Sequence, residues 1–259
     1  MKKTIIRVVI GLLLPFLLLL AWDFCTAKRI LPPSLSASLS TVGRTFLRLV
    51  ASGEFTAHAS SSVMRLSVAV FVGAVSGIAT GLLLSQMRQL RYFFVPTIRF
   101  LAPIPVIVWM PFVIALAGTG EPYKIVMVAV ATFFIMHGHA FDGGTAVSNR
   151  YLELARIYEK PLYERIARII LPAASPLIFS GLRLSLALAW VILMFVEFSS
   201  ANAGSEGLGW FVADARALGK VEEEYAGVFM IALLGLATDT LAAGMCARVS
   251  RWSGEPQVS

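Results

Sequence analysis

YLELARIYEKPLYERIARIILPAASP, residues 151–176, interrupts a chain otherwise dominated by long apolar runs. Leu152, Ala155, Ile157 and Tyr158 recur at helical spacing and give a short apolar face beside Glu153 and Arg156. Glu159, Lys160 and Pro161 follow. Proline disfavours the α region for the residue before it yet suits the first position of a new helix, so the chain is expected to turn here and restart. A second amphipathic helix is then predicted, with Leu162, Ile166, Ile169 and Ile170 opposed to Glu164, Arg165 and Arg168, and closed by Leu171 and Pro172. Two short amphipathic helices set at an angle make a knob that invites a protein partner; the plain alternative is a pair of helices resting on anionic lipid.

The rest of the chain says what the knob is attached to. Its 259 residues are 58% hydrophobic and 14% charged, and a mean hydropathy of +0.79 marks an integral membrane protein. About 20 helical residues cross roughly 30 Å of hydrocarbon, and six such runs are read at residues 5–22, 63–84, 93–117, 125–141, 177–196 and 226–245. They are continuously apolar and contain glycine, which implies helices and not the alternating strands of a barrel. The first run follows Lys2 and Lys3 but offers no small-x-small cleavage site, so it is read as a retained span.

Basic residues set the orientation. With a cytoplasmic N-terminus, the inside segments hold Lys2, Lys3, Arg7, Arg88, Arg91, Arg150, Arg156, Lys160, Arg165, Arg168, Arg248 and Arg251, against Lys28, Arg29, Arg44, Arg48, Lys124, Arg216 and Lys220 outside. The knob is therefore expected in the cytoplasm, between spans four and five. The formal charge of +7 reads as topology and attraction to anionic lipid, not to nucleic acid. Residues 23–62 form a sizeable outside segment, where Leu35, Leu39, Val42, Phe46, Leu49 and Val50 predict an amphipathic surface helix. Cys25 and Cys246 fall at opposite ends of the spans, so no disulfide framework is expected.

Chemistry within the chain is hard to find. Gly219-Lys220 is followed by Val221 and fails the spacing of a phosphate-binding loop. His137 and His139 are two apart and point to nearly opposite sides of a helix, which suits packing better than a metal. Ser205 has no base placed for it. No catalytic residue, cofactor or metal is assigned. Glu197, Arg183 and Arg99 are costly if they face lipid, so each is read as an ion pair, a snorkelling side chain or a pathway group; Arg65 is read as a snorkelling anchor. Gly73, Gly77 and Gly81 form a stripe that allows close helix packing, within one subunit by preference. Pro103, Pro105 and Pro111 interrupt the third span and free backbone carbonyls, which fits a pathway wall. With Trp190, Glu197, Ser205, Gly207 and Gly209 they are the candidate lining of a translocation pathway.

Glu153-Leu154-Ala155, followed by Ile169-Ile170-Leu171-Pro172, resembles the cytoplasmic E-A-A, glycine, I-x-L-P signature of ABC importer permeases. The stretches beginning LRYFFVPTIRF, PAASPLIFSGLRLSL and GSEGLGWFVADAR resemble the nitrate, sulfonate and taurine branch, and the likeness covers about residues 31–251. Two departures stand out: Leu154 occupies a usual alanine position, and Glu159 falls where the family has glycine. The resemblance implies an all-α type I importer permease, one transmembrane domain over residues 1–259, in a bacterial inner membrane. It implies a homodimer working with ATP-binding cassette ATPase subunits and an external substrate-binding protein, for a small anion such as a sulfonate or nitrate. Glu153, Leu154, Ala155, Tyr158, Glu159, Lys160, Pro161, Ile169, Leu171 and Pro172 would then couple the ATPase to the membrane helices, with no bond change catalysed by this chain. The alternative is a stand-alone secondary transporter or channel.

Overall fold

The computed structural model describes residues 2–253 apart from 29, 31, 33–35, 148–152, 154–156 and 200–205, and the described residues contain helices and no strand. The elements are α1 (Lys2–Ala27), α2 (Leu39–Ala51), α3 (Glu54–Gln86), α4 (Arg88–Leu101), α5 (Met110–Ala117), α6 (Glu121–Ala146), α7 (Leu162–Phe198), α8 (Leu208–Ala217) and α9 (Val221–Ser253). Helices α3, α6, α7 and α9 are each long and apolar enough to cross a membrane. In α1 an apolar stretch runs over Phe16–Ala27, and its leucines face outward, with Leu17 and Leu18 exposed.

The centre is a block of α3, α6 and α7. Glycine decides how closely α3 meets α6: a Cβ on Gly73 would stand 2.5 Å from the Ala129 carbonyl oxygen, and one on Gly81 2.6 Å from that of His137. The stripe thus packs within the chain, where backbones approach closely because no side chain intervenes. The α6–α7 seam works the same way, with Gly143 against Ala174 and Gly181 against His139. Around these seams Leu82, Met136, Ala140, Ile170, Ala174 and Ile178 form one apolar cluster.

The predicted amphipathic helix is present as α2, and Leu35 of its expected face lies outside the described residues. Ser38 caps it, its Oγ accepting from the Thr41 N–H at 3.2 Å. Its apolar face puts Leu49 beside Phe55, Leu208 and Phe211, while Arg48 on the outer face pairs with Glu223 of α9 at 2.8 Å.

Three expectations are corrected. The helix of the second span begins at Glu54, nine residues before the apolar run read from Val63, because the polar stretch that precedes that run is helical too. The third span is not one helix: α4 and the segment from Val106 to Ala117 are bent by 98°. Pro103 and Pro105 lie in the break and supply no N–H to carry the ladder across it. Leu171 and Pro172 do not close a helix either. The chain stays helical from Leu162 to Phe198 through a π-helical stretch at Ile166–Ile170, and Pro172 then falls in the first turn of regular α-helix, where its missing N–H is tolerated.

Candidate functional site

The turn at residues 157–162 is the first candidate feature, and its geometry is unusual at one residue. Glu159 has φ of 50°, the one positive φ outside glycine among the described residues. Pro161 then sits at φ −62° and ψ 157°, extended, and caps α7. The expectation that proline alone makes the turn is therefore revised: a left-handed residue ends one helix, in the conformation that glycine usually supplies, and proline starts the next. Ile157, Tyr158 and Tyr163 are each 70% or more exposed, which is a protruding apolar face. Glu153, Lys160 and Pro161 are exposed as well. Glu164 holds Lys160 at 3.1 Å and approaches Arg168 at 3.8 Å, which stiffens the first turn of α7. Behind the turn, Ile166 and Ile169 pack on the α3–α6–α7 core, so Ile169 faces inward, while Leu171 and Pro172 are exposed. Leu154 and Ala155 lie outside the described residues.

At the far end of the block the polar groups of three helices converge. Arg65 of α3 is 8% exposed in its side chain and lies between Glu121 of α6 and Glu197 of α7. Its Nη1 donates to Glu197 at 2.8 Å and to the Glu206 carbonyl at 2.6 Å, and its Nη2 donates to Glu121 at 2.9 Å. Glu197 is fully buried and also accepts from Ser62 Oγ and from the Gly209 N–H, each at 2.9 Å. Lys124, itself buried, donates to Glu121 at 3.0 Å. Two cations and two carboxylates thus neutralise one another: Arg65, Lys124 and Glu197 are buried and each is hydrogen-bonded to a group of opposite charge, the condition under which charges tolerate burial, while Glu121 is half exposed. The reading of Arg65 as a snorkelling anchor is overturned: a guanidinium held by two carboxylates stays in the protein interior.

The segment before α8 is part of this cluster. Gly207 has φ of 139°, and a Cβ there would meet both Glu197 and Arg65 within 2.7 Å. Its N–H donates to His58 Nδ1 at 3.1 Å, and the Leu208 N–H donates to Ser62 Oγ at 2.9 Å. A glycine is required here by both backbone angle and space. Beside the cluster lies an open cavity of about 520 Å³ lined by Ser61, Met64, Arg65, Val68, Glu121, Ile125 and Glu206.

The other predicted pathway residues scatter. Pro103, Pro105 and Pro111 are exposed at and after the α4–α5 bend. Trp190 is buried, its Nε1 donating to Thr238 at 2.9 Å. Gly207 and Gly209 are buried with Glu197, inside the chain and away from its outer surface. Ser205 lies outside the described residues. His137 meets Thr80 at 3.1 Å and His139 stands against Gly181, so both are packing residues. Among the described residues no group of three His, Cys, Asp or Glu side chains could hold a metal ion.

Reading the sequence missed Asp239. It lies in α9 and receives Arg183 of α7 bidentately, Nε to Oδ1 at 2.7 Å and Nη2 to Oδ2 at 2.9 Å. The signal was available: an acid in the middle of the sixth apolar run, with an arginine in the fifth to match it.

Comparison with known proteins gives the family of the chain. Residues 69–252 match the family model of the binding-protein-dependent transport system inner membrane component. The chain belongs to this family. Among its relatives is SsuC of Bacillus subtilis (strain 168), a permease protein named for aliphatic sulfonates transport, 29% identical over 242 residues, which are 93% of this chain and 87% of that one. The bicarbonate transport system permease protein CmpB of Synechococcus elongatus is 26% identical over 192 residues, 74% of this chain and 67% of that one. In fold the chain resembles the methionine ABC transporter MetNI in an inward-facing conformation, with a TM-score of 0.64 and 16% identity over 74% of this chain and 94% of that one. Membership places the chain in the inner membrane and gives it a transport role, with a binding protein and an ATPase as partners of the system. The branch named from the sequence holds, and bicarbonate joins sulfonates among the solutes for which its members are named.

Proposed function

We propose that this chain is the membrane-spanning subunit of an ATP-driven importer of a small anion, and that it works as a homodimer with ATPase subunits on the cytoplasmic face and a substrate-binding protein outside. The reading is carried by family membership across residues 69–252, together with the exposed apolar turn at the end of the central block. Glu153 and the residues from Tyr158 to Pro161 form the knob that fits the ATPase. Closing of the ATPase subunits moves that knob, and because α7 runs unbroken from Leu162 to Phe198 the displacement reaches the opposite face as a rigid shift. The anionic class of solute rests on the relatives named for sulfonates and bicarbonate.

The chain purified alone is expected neither to bind nor to hydrolyse ATP. Co-expressed with its ATPase it should give a complex with equal numbers of the two subunits. In vesicles, with the binding protein supplied outside, this complex should take up ethanesulfonate, nitrate or bicarbonate only when ATP is present. ATP hydrolysis by the isolated chain, or uptake by the complex without ATP, would refute the assignment.

A further inference from the structure

Arg65 and Arg183, within the long apolar helices α3 and α7, both pair with acids of other long helices, and they are treated differently. Arg65 is buried and its donors are taken up by Glu121, Glu197 and the Glu206 carbonyl. Arg183 is half exposed, at 52% of its side chain, and so is its partner Asp239, at 44%. Two guanidinium nitrogens bind the aspartate. Nη1 has no acceptor among the described residues, so one edge of the fork is open.

The depth of the pair follows once the Arg65–Glu197 cluster is taken as one boundary of the membrane. Arg183 lies fourteen residues from Glu197 along α7, about 21 Å at 1.5 Å per residue, inside a hydrocarbon layer of roughly 30 Å. A lone arginine at that depth could reach for headgroups. This one cannot, because a short aspartate on α9 holds it bidentately and itself has no reach. A charged pair with open donors does not face hydrocarbon, where each unsatisfied donor is strongly penalised. A face that carries it is wet or closed by another protein surface. On the same face of α7 the exposed neighbours one turn to either side are Ser180 and Ala187, small side chains that leave the fork uncovered, while on α9 the exposed residue one turn before Asp239 is Leu236.

We propose that Arg183 and Asp239 form the anion station of the translocation pathway: the open edge of the Arg183 fork receives a small oxyanion, and Asp239 competes for the same guanidinium so that the anion is released. A planar or tetrahedral oxyanion accepts from a guanidinium edge as a carboxylate does, which suits a sulfonate, nitrate or bicarbonate equally. The competing carboxylate keeps binding weak enough for passage, as conduction requires. This inference rests on the reading of the chain as an anion importer.

The test reads the local potential and needs no knowledge of the natural solute. In the assembled transporter, with Cys25 and Cys246 replaced by serine, a cysteine is placed at Ala187, one turn outward from Arg183 on the same face. It is reacted with an anionic and a cationic methanethiosulfonate of similar size. The anionic-to-cationic rate ratio is expected to fall about tenfold in Arg183→Gln and to rise about tenfold in Asp239→Asn, with Arg183→Lys close to the parent. Should a single variant fail to assemble, the Arg183→Gln/Asp239→Asn double variant removes both charges together, and its ratio should return to within about threefold of the parent. A ratio that responds to neither charge, or a cysteine reached only by a membrane-permeant maleimide, overturns the site and returns the pair to lipid or a closed contact. Ethanesulfonate uptake by the parent is the separate control. If the parent imports ethanesulfonate while the ratio stays fixed, the station alone is wrong. If it imports a cationic solute and refuses ethanesulfonate, the anion-import reading fails and the station falls with it.

Discussion

Glu159 holds a left-handed backbone, with φ of 50°, although it has a Cβ that this region penalises by roughly 1–2 kcal/mol. Glycine removes that penalty but has more freedom to lose on folding, so Glu159→Gly should stabilise the turn by about 0.5–1 kcal/mol. Hydrogen exchange of the amides at Lys160, Leu162 and Tyr163 should slow about two- to fivefold; faster exchange would show that the glutamate side chain supports the turn. Arg65 is the opposite case, a residue whose loss strands its partners. Arg65→Gln leaves Glu197 buried with its charge uncompensated, a loss of about 3–5 kcal/mol, and Gly207→Ala should approach it by driving a Cβ into the same pair. Both are expected to lower the thermal midpoint in detergent markedly, while Arg99→Gln, at an exposed position, leaves it nearly unchanged. Local patterns show Pro161 and its effect on Lys160 plainly, since proline acts on its immediate neighbour. They do not show Arg65 meeting Glu121 and Glu197, which are 56 and 132 residues away, because hydropathy along one span is blind to what the next span presents.

Among the elements, the helices that hydropathy identifies are those whose apolar run is unbroken. Helices α3, α6, α7 and α9 were legible for this reason, as was α2 from its one-sided apolar face. The bend between α4 and α5 was not, because a transmembrane helix often tolerates proline and the angle depends on the packing around it. The π stretch before Pro172 has the same cause: the chain absorbs the proline by widening the preceding turn, and nothing in Ile166–Ile170 announces it. Two predictions belong to this scale. Gly77→Ala puts a Cβ 2.8 Å from the Phe133 carbonyl oxygen, so α3 and α6 must separate, at about 1–3 kcal/mol, seen as a lower thermal midpoint with Gly43→Ala as the neutral control. Pro161→Ala frees Lys160 to enter the α region, so the helix ending near Ile157 could join α7 and carry Tyr158 away from its present face. Membrane insertion should survive. Uptake and substrate-stimulated ATP hydrolysis in reconstituted vesicles should fall together, and an unchanged coupling ratio with full uptake would sink the proposed role of the turn.

Over the whole molecule, helix length and charge placement decide which end is which. Helix α7 has 37 residues, about 55 Å, far more than the roughly 30 Å of hydrocarbon it crosses. One end must project, and it is the end carrying Lys160, Glu164, Arg165 and Arg168, because at the other end Glu197 is neutralised and enclosed. Helix α3, with 33 residues, projects the other way: the charged and polar side chains of Glu54, Thr56, His58, Ser60, Ser61 and Ser62 precede its apolar run. Arg65, Glu121 and Glu197 meet only if the starts of α3 and α6 and the end of α7 share one face, which is the alternation of inside and outside expected from the basic residues. The turn at Glu159 is then separated from the Arg65 cluster by the full membrane. Cysteines introduced singly at Tyr158 and Ser52, both exposed, in a chain with Cys25 and Cys246 replaced by serine, should therefore react with an impermeant maleimide from opposite sides. Ser52 should label in intact cells, and Tyr158 only after the cells are opened. Labelling of both from one side would mean that the three helices do not alternate across the bilayer, and would remove the cytoplasmic placement on which contact between the turn and an ATPase depends.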